Sequence, residues 1–297
     1  MKVAVIGAGH MGRYHADKFS RLPGVELAAV VDPDPARAKI SDYRKVLGSV
    51  QAAVVAVPTN LHHEVARACL EKGVHVLVEK PLAATLKEAD DLVAMAERKS
   101  LVLQVGHVQR YSGAFRALAG RVDKVLYINA ERLSGFKQRG AEVDVILDLM
   151  IHDLDLALSL ARSEVTGVSA CGFQVLTSDI DIASARIEFA SGCVVDLTAS
   201  RVSQAVVRKF RVFQPGLYAS ADLQEGKLRY VRQAGGVIDE TEEAHPGGDA
   251  LAAQVESFVL AITKNQPVLV DGVEGRRVLK LALDIGRLVR ERLARFS

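Results

Sequence analysis

Tryptophan is absent from this 297-residue chain, and aromatic residues make up only 5% of it. So sparse a supply of rings argues against a stacking platform for single-stranded nucleic acid. Cysteine is scarce too. Cys69, Cys171 and Cys193 are odd in number and form no Cys-x-x-Cys pair, so they supply neither a disulfide framework nor a zinc signature. Charge of one sign is not in excess: 38 Lys and Arg face 36 Asp and Glu, for a formal net charge of +2. No basic run is long enough to mark a nucleic-acid tail. Nor does any apolar run approach the roughly 18 residues that a membrane span needs. Met1 leads directly into KVAVIGAG, an apolar stretch too short for a signal peptide. The expectation is a cytoplasmic protein with reduced thiols and a small-molecule partner, not nucleic acid or membrane.

What is present is a composition, 49% hydrophobic and 25% charged, that suits two globular domains or one large one. The first hundred residues alternate short β-branched runs (Val3 to Ile6, Val25 to Val31, Ala52 to Val57, Val74 to Val78, Leu101 to Val105) with helical patterns. The predicted helices are Met11 to Arg21, Pro35 to Lys39, Leu61 to Glu71 and Leu86 to Lys99. Such alternation marks a parallel, doubly wound sheet. The stretch from Ile40 to Val50 is too short for a full strand and helix, so that repeat should be trimmed. After Gly106 the pattern changes to one apolar helix and longer alternating runs at Lys124 to Leu133, Gly167 to Leu176, Ala183 to Phe189, Cys193 to Ser200, Val206 to Phe213 and Leu217 to Leu223. Turn signals such as Ala190-Ser191-Gly192 and Gln214-Pro215-Gly216 separate them, which predicts an antiparallel sheet. Two helical patterns, Ala250 to Thr263 and Gly272 to Leu293, close the chain. The predicted fold is α/β, with a parallel-sheet domain over 1–106 and a second α/β domain, mainly antiparallel, over 107–297; a late helix can still pack back onto the first.

Gly7-Ala8-Gly9-His10-Met11-Gly12 follows a predicted strand and opens a predicted helix. That spacing lets the backbone turn tightly and brings a pyrophosphate against main-chain N–H groups at a helix N-terminus. Asp32 ends the second strand at the offset expected of an acid that binds ribose hydroxyls, which favours NAD. Arg37 nearby keeps NADP open. Pro58-Thr59-Asn60 ends the next strand with His62 behind it, at the sheet edge where ligands collect. The plainer reading is turn and capping chemistry by Thr59 or Asn60. Glu79-Lys80-Pro81 ends the following strand at the same edge, where Lys80 can meet the reacting end of a cofactor or simply be solvated. His15 and His63 read as surface residues, and His75 as a core histidine.

The segment Val145 to Leu160, VILDLMIHDLDLALSL, is almost wholly apolar, yet its polar residues fall in one line. At about 100° per residue, Asp148, His152, Asp155 and Ser159 stay within roughly 60° of one another on a helix. Acids and an imidazole on a packed helix are costly unless they line a cavity. The stripe is therefore a site candidate, against the alternatives of a solvated edge or a metal site at i, i+4 and i+7. No further His or Cys stands at ligand spacing, so no metal is expected.

Taken in order, the glycine loop, Asp32, Pro58-Thr59-Asn60 with His62, Glu79-Lys80-Pro81 and the Asp148-x-x-x-His152 pattern resemble the Gfo/Idh/MocA family of NAD(P)-dependent oxidoreductases along the whole chain. The resemblance implies a Rossmann domain followed by an α/β domain on an open, mainly antiparallel sheet, whose exposed face makes homodimers or homotetramers. It implies that Gly7, Gly9, His10, Met11, Gly12, Asp32, Pro58, Thr59, His62, Glu79 and Lys80 bind the cofactor. Lys80 would contact the substrate hydroxyl, His152 would be the general base, and Asp148 would orient the substrate or the imidazole. Met150 stands where the family commonly has a small residue, which narrows the pocket. The text around the stripe, with ERLSGF before it and DLTASRVS after it, is similar to the branch that contains UDP-N-acetylglucosamine 3-dehydrogenases, whose keto product is aminated for lipid A. A nucleotide-sugar diphosphate needs donors, and Arg132, Arg139, Arg201 and Arg208 are candidates; scattered arginines on a sheet also serve as surface or subunit contacts. Oxidation of another sugar or cyclitol, or a non-catalytic dinucleotide-binding regulator, remains the alternative.

Overall fold

The computed structural model describes residues 1–136, 143–245 and 248–295. Two compact units divide the chain, Met1–Val108 with Asp249–Leu279, and Gln109–Gly248 with Lys280–Ser297. The sequence boundary at Gly106 assigns all of 107–297 to the second domain, whereas Asp249–Leu279 folds with the first unit. The reason is apolar burial: Val255, Phe258 and Val259 complete the core formed by Val3, Val5, Phe19 and Leu77.

In the first unit the strands are β1 (Lys2–Ile6), β2 (Glu26–Val31), β3 (Ala52–Val55), β4 (His75–Val78) and β5 (Leu103–Val105). They pair in parallel in the order β2-β1-β3-β4-β5. AAVV of β3 is buried at every position, as expected for a parallel sheet covered on both faces. The helices α1 (His10–Arg21), α2 (His62–Glu71) and α3 (Leu86–Lys99) connect them. Thr85 and Glu88 close a capping box at the start of α3. The predicted helix Pro35 to Lys39 does not form. Asp34 instead takes the Ala36 N–H on its side chain at 2.9 Å, and its carbonyl accepts from Arg37, a local turn that competes with helix. Between β2 and β3 only a 3₁₀ turn at Tyr43–Lys45 remains, with a bridge from Val31 to Ile40, so the third repeat is trimmed as expected.

The second unit carries an eight-stranded sheet in the order β13-β12-β11-β10-β6-β9-β8-β7. Its strands are β6 (Tyr127–Leu133), β7 (Val165–Phe173), β8 (Ile182–Phe189), β9 (Val194–Ser200), β10 (Val207–Gln214), β11 (Leu217–Asp222), β12 (Lys227–Ala234) and β13 (Val237–Ala244). β6 and β9 are parallel, and every other pair is antiparallel. Period-two burial is clean: Ile128, Ala130 and Arg132 of β6 are buried between half-buried neighbours. The helices α4 (Gly113–Ala119) and α5 (Ile151–Ala161) pack on the inner face. The sequence pattern does not announce the hairpin β12–β13 or α4. The hairpin is polar and β13 is largely exposed, and α4 has only seven residues, so neither shows a strong hydrophobic period. The chain ends with α6 (Ala250–Lys264) and α7 (Gly272–Leu293). Among the described residues no helix is long and apolar enough to cross a membrane.

Candidate functional site

The glycine loop has the geometry of a phosphate cradle. Gly7 has φ +94°, and a Cβ there would lie 2.5 Å from the Ala56 carbonyl oxygen. A Cβ on Gly12 would lie 1.7 Å from the Gly7 carbonyl oxygen, so helix and loop approach only because that atom is missing. Gly9 differs: nothing stands within 4 Å of its would-be Cβ. Gly9 is the N-cap of α1, has no side-chain cap, and no acid occupies the first turn. Open space in front of uncapped N–H groups, at the positive end of a helix dipole, fits the pyrophosphate of a dinucleotide. Asp32 is 6% exposed and fastens this loop from the end of β2. Its Oδ2 accepts from the Ala8 N–H at 2.7 Å and its Oδ1 from the Asp34 N–H at 3.0 Å. Each oxygen keeps a lone pair for a ribose hydroxyl. Arg37 pairs with Asp34 at 3.1 Å on the surface.

At the same edge Pro58 enters a 3₁₀ turn, Thr59–Leu61, and His62 begins α2. His62 is 1% exposed, with Nδ1 2.7 Å from the Pro81 carbonyl oxygen and Nε2 3.0 Å from that of Val57. Burial lowers its pKa against the pull of the two carbonyls. A neutral imidazole has one N–H, so the ring donates to one of these carbonyls while lying against both, between the loops that carry Val57 and Pro81. Glu79 is buried, its Oε1 2.7 Å from His15 Nε2 and its Oε2 accepting from the Lys80 N–H at 3.3 Å. Lys80 is half-buried. A Cβ at Gly106 would come within 2.9 Å of Glu79 Oε2, so the carboxylate also needs a glycine beside it.

The expectation that His15 lies on the surface is overturned, since it is completely buried. Gly12, His15 and Phe19 form the buried side of α1, an i, i+3, i+7 spacing that was readable in the sequence. His63 is half-buried and 2.8 Å from Asp91 Oδ2. His75 is half-buried and accepts the Val102 N–H at 2.9 Å.

In the second unit the polar stripe does not lie on one regular α-helix. Ile146–Met150 forms a π turn, and α5 begins at Ile151. Its entry is fixed by side chains. Asp144 is 7% exposed and accepts from the Ile146 and Leu147 N–H groups at 3.1 and 3.0 Å, and Arg290 holds its other oxygen at 3.0 Å. A π turn widens the helix and alters which side chains align, a feature that recurs at functional sites. Asp148 lies inside it and His152 just beyond, both half-buried. Asp155 is completely buried, with both oxygens about the Arg110 Nε at 3.0 and 3.1 Å, and the Ser159 hydroxyl donates to the Leu156 carbonyl. The stripe thus divides into an accessible pair, Asp148 and His152, and a structural pair.

The arginines separate in the same way. Arg132, 4% exposed, grips Asp153 with two bonds of 2.9 and 2.7 Å. Arg201, also 4% exposed, reaches Asp181 at 2.7 Å, the Val143 carbonyl at 2.6 Å and Thr177 Oγ1 at 3.1 Å. A buried guanidinium must be paired, and both pairs brace the unit. Arg139 lies outside the described residues. Asp153 and Asp181, the partners, carry no local sequence signal. Among the described residues no group of three His, Cys, Asp or Glu has metal-holding geometry.

Comparison with known proteins agrees with this arrangement. The model of the GFO/IDH/MocA oxidoreductase family, with an NAD-binding Rossmann fold, matches residues 1–107, and that of the GFO/IDH/MocA C-terminal domain matches 113–214. The chain is 40% identical to the UDP-N-acetylglucosamine 3-dehydrogenase of Acidithiobacillus ferrooxidans, over 96% of both chains. A solved structure of that enzyme superposes with a TM-score of 0.92 at 38% identity, over 97% of both chains. The scyllo-inositol 2-dehydrogenase (NAD(+)) of Bacillus subtilis is 30% identical over 68% of both chains. A scyllo-inositol dehydrogenase from Lactobacillus casei, solved with NAD(H) and scyllo-inositol, shares the fold with a TM-score of 0.84 at 17% identity over 98% of this chain and 97% of that one. On its glycine loop, its two domain matches and its full-length relative, the chain belongs to the Gfo/Idh/MocA family of NAD-binding oxidoreductases.

Proposed function

We propose that this protein oxidises the 3-hydroxyl of UDP-N-acetylglucosamine to a ketone, with NAD reduced to NADH. The observation that carries this reading is the 40% identity over 96% of the chain to an enzyme of that activity. The intact Lys80, Asp148 and His152 support it, since a dinucleotide-binding regulator has no need of a base. When bound, NAD supplies the acceptor for the hydride leaving the carbinol carbon. His152 takes the hydroxyl proton: a neutral imidazole near pH 7 is matched to that task and contributes about 10² to 10⁴ in rate. Lys80 stabilises the alkoxide charge that develops on the same oxygen. Its main chain is held by Glu79, which His15 holds in turn. Asp148 orients the substrate or the imidazole.

The chain works, on this reading, in the cytoplasm as a homodimer or homotetramer. Its three thiols are free, which suits a reducing compartment. The sheet face away from α5 carries a half-buried aromatic group, Tyr127 with Phe213 at 5.4 Å and Phe213 with Tyr218 at 4.9 Å. The decisive assay is NADH formation with UDP-N-acetylglucosamine, UDP-glucose and myo-inositol. Preference for the first is the expected result. Turnover of myo-inositol alone would move the assignment to the cyclitols that the 30% relative oxidises.

A further inference from the structure

Of the arginines on the sheet of the second unit, Arg208 is placed differently from Arg132 and Arg201. It stands in β10 directly opposite Arg132 in β6, so both side chains leave the sheet on the face that α5 covers, where Asp153 closes the fork of Arg132. Asp153 directly follows His152. Arg208 is half-buried, and no acid among the described residues lies at ion-pair distance from it. Its surroundings resist the charge: burial lowers its pKa, the neighbouring Arg132 lowers it further, and Asp153, already bound by Arg132, opposes this only in part. A guanidinium stays charged under such conditions. A desolvated cation without a counter-charge weakens the fold, and such costs persist where a ligand is bound.

We infer that Arg208 is the specificity-determining anchor for an anionic group of the substrate, the diphosphate of a nucleoside-diphosphate sugar. The inference rests on the proposal that the substrate is a nucleotide sugar. The chemistry fits: the planar fork offers parallel N–H donors to two phosphate oxygens, and the incoming charge supplies what the sheet leaves uncompensated. Arg132 is less suited to the role, because Asp153 neutralises its charge and takes its Nε and Nη2 donors. Its positive charge nevertheless adds to the field that a diphosphate would meet at Arg208.

The test is calorimetric titration of UDP into the NAD-loaded protein and its Arg208→Met and Arg208→Lys variants, with thermal melts and NADH assays on each. UDP affinity is expected to fall at least tenfold in Arg208→Met, and Arg208→Lys to recover part of it, keeping charge but losing the fork. The KM for UDP-N-acetylglucosamine should rise by a similar factor, with kcat changed less. The melting temperature of Arg208→Met should hold or rise, because an uncompensated charge has gone; a purely structural arginine would lower it. Equal UDP affinity in wild type and Arg208→Met, or no UDP binding by the wild type, would overturn the inference. The two readings fail separately. Oxidation of UDP-N-acetylglucosamine that ignores Arg208→Met removes the anchor and keeps the function, whereas Arg208-dependent UDP binding without oxidation of that sugar keeps the anchor and removes the function.

Discussion

The two units hold their functional groups by different means. In the first, position is set by backbone: glycines that admit a carbonyl where a side chain would stand, and a histidine whose ring lies between the carbonyls of two loops. In the second, it is set by buried charge pairs that join residues far apart in sequence. Arg132 meets Asp153 across 21 positions, Arg110 meets Asp155 across 45, and Arg201 meets Asp181 across 20. Backbone scaffolding leaves a compact motif, whereas a lattice of ion pairs is assembled only by folding. The difference also bears on fragility, since losing one partner of a buried pair strands the other.

The comparison breaks most sharply at the groups proposed to react. His152→Ala should lower kcat by about 10² to 10⁴, measured as NADH formation, while NAD titration gives the wild-type affinity. A matching loss of NAD affinity would place His152 in cofactor binding instead. Next in size is the ion-pair scaffold: Arg132→Met should cost about 3 to 5 kcal/mol in urea unfolding by leaving Asp153 buried and unpaired. The double variant Arg132→Met with Asp153→Leu should recover most of it. Additive losses would show that the pair itself is not what stabilises the unit.

The backbone scaffold is probed by two glycines with opposite surroundings. Gly12→Ala drives a methyl into the Gly7 carbonyl and should cost about 3 kcal/mol or more. Gly9→Ala meets nothing and should fold normally yet bind NAD more weakly, because its methyl enters the space in front of the helix. Equal behaviour of the two in melts and NAD titration would dissolve the distinction.

The smallest effect concerns Asp181. Burial opposes its ionisation, but the Thr177, Val175 and Leu176 N–H groups and Arg201 outweigh burial and hold the carboxyl well below the usual range. A folded-state pKa below the unfolded one means stability that is complete above the ordinary carboxylate value, about 4. That stability is lost as pH falls through this range toward the depressed value. Asp181→Asn should therefore be less stable by about 2 kcal/mol at neutral pH, and its melting temperature should drop less on acidification. Parallel acid curves for variant and wild type would mean that other carboxylates dominate.

How far the sequence carried the reading follows the same division. Gly7, Gly9, Gly12 and Asp32 were legible because a tight turn before a helix leaves few residue types free to vary. The spacing Gly12, His15, Phe19 was equally open to reading. His15 was nonetheless assigned to the surface, because a lone polar residue on a helix carries no mark of its partner, and Glu79 stands 64 positions away. The helix of Val145 to Leu160 was legible as apolar, but its π turn was not, and nothing local announces that Asp144 will be clamped by Arg290, 146 positions on. Arg132 and Arg201 had the charge that a diphosphate needs, and only their partners showed that the charge was already taken.

Residue order alone determined the alternation of strand and helix and the phosphate-binding turn. These rest on local rules of backbone geometry and on the period of apolar residues. Folding decided which charged side chains are left accessible, because compensation of a buried charge depends on what packs across from it and that neighbour is distant in the chain. By that rule Asp155, Arg132 and Arg201 were paired in the interior, Asp148 and His152 stayed accessible, and Arg208 was left half-buried with no acid among the described residues at ion-pair distance.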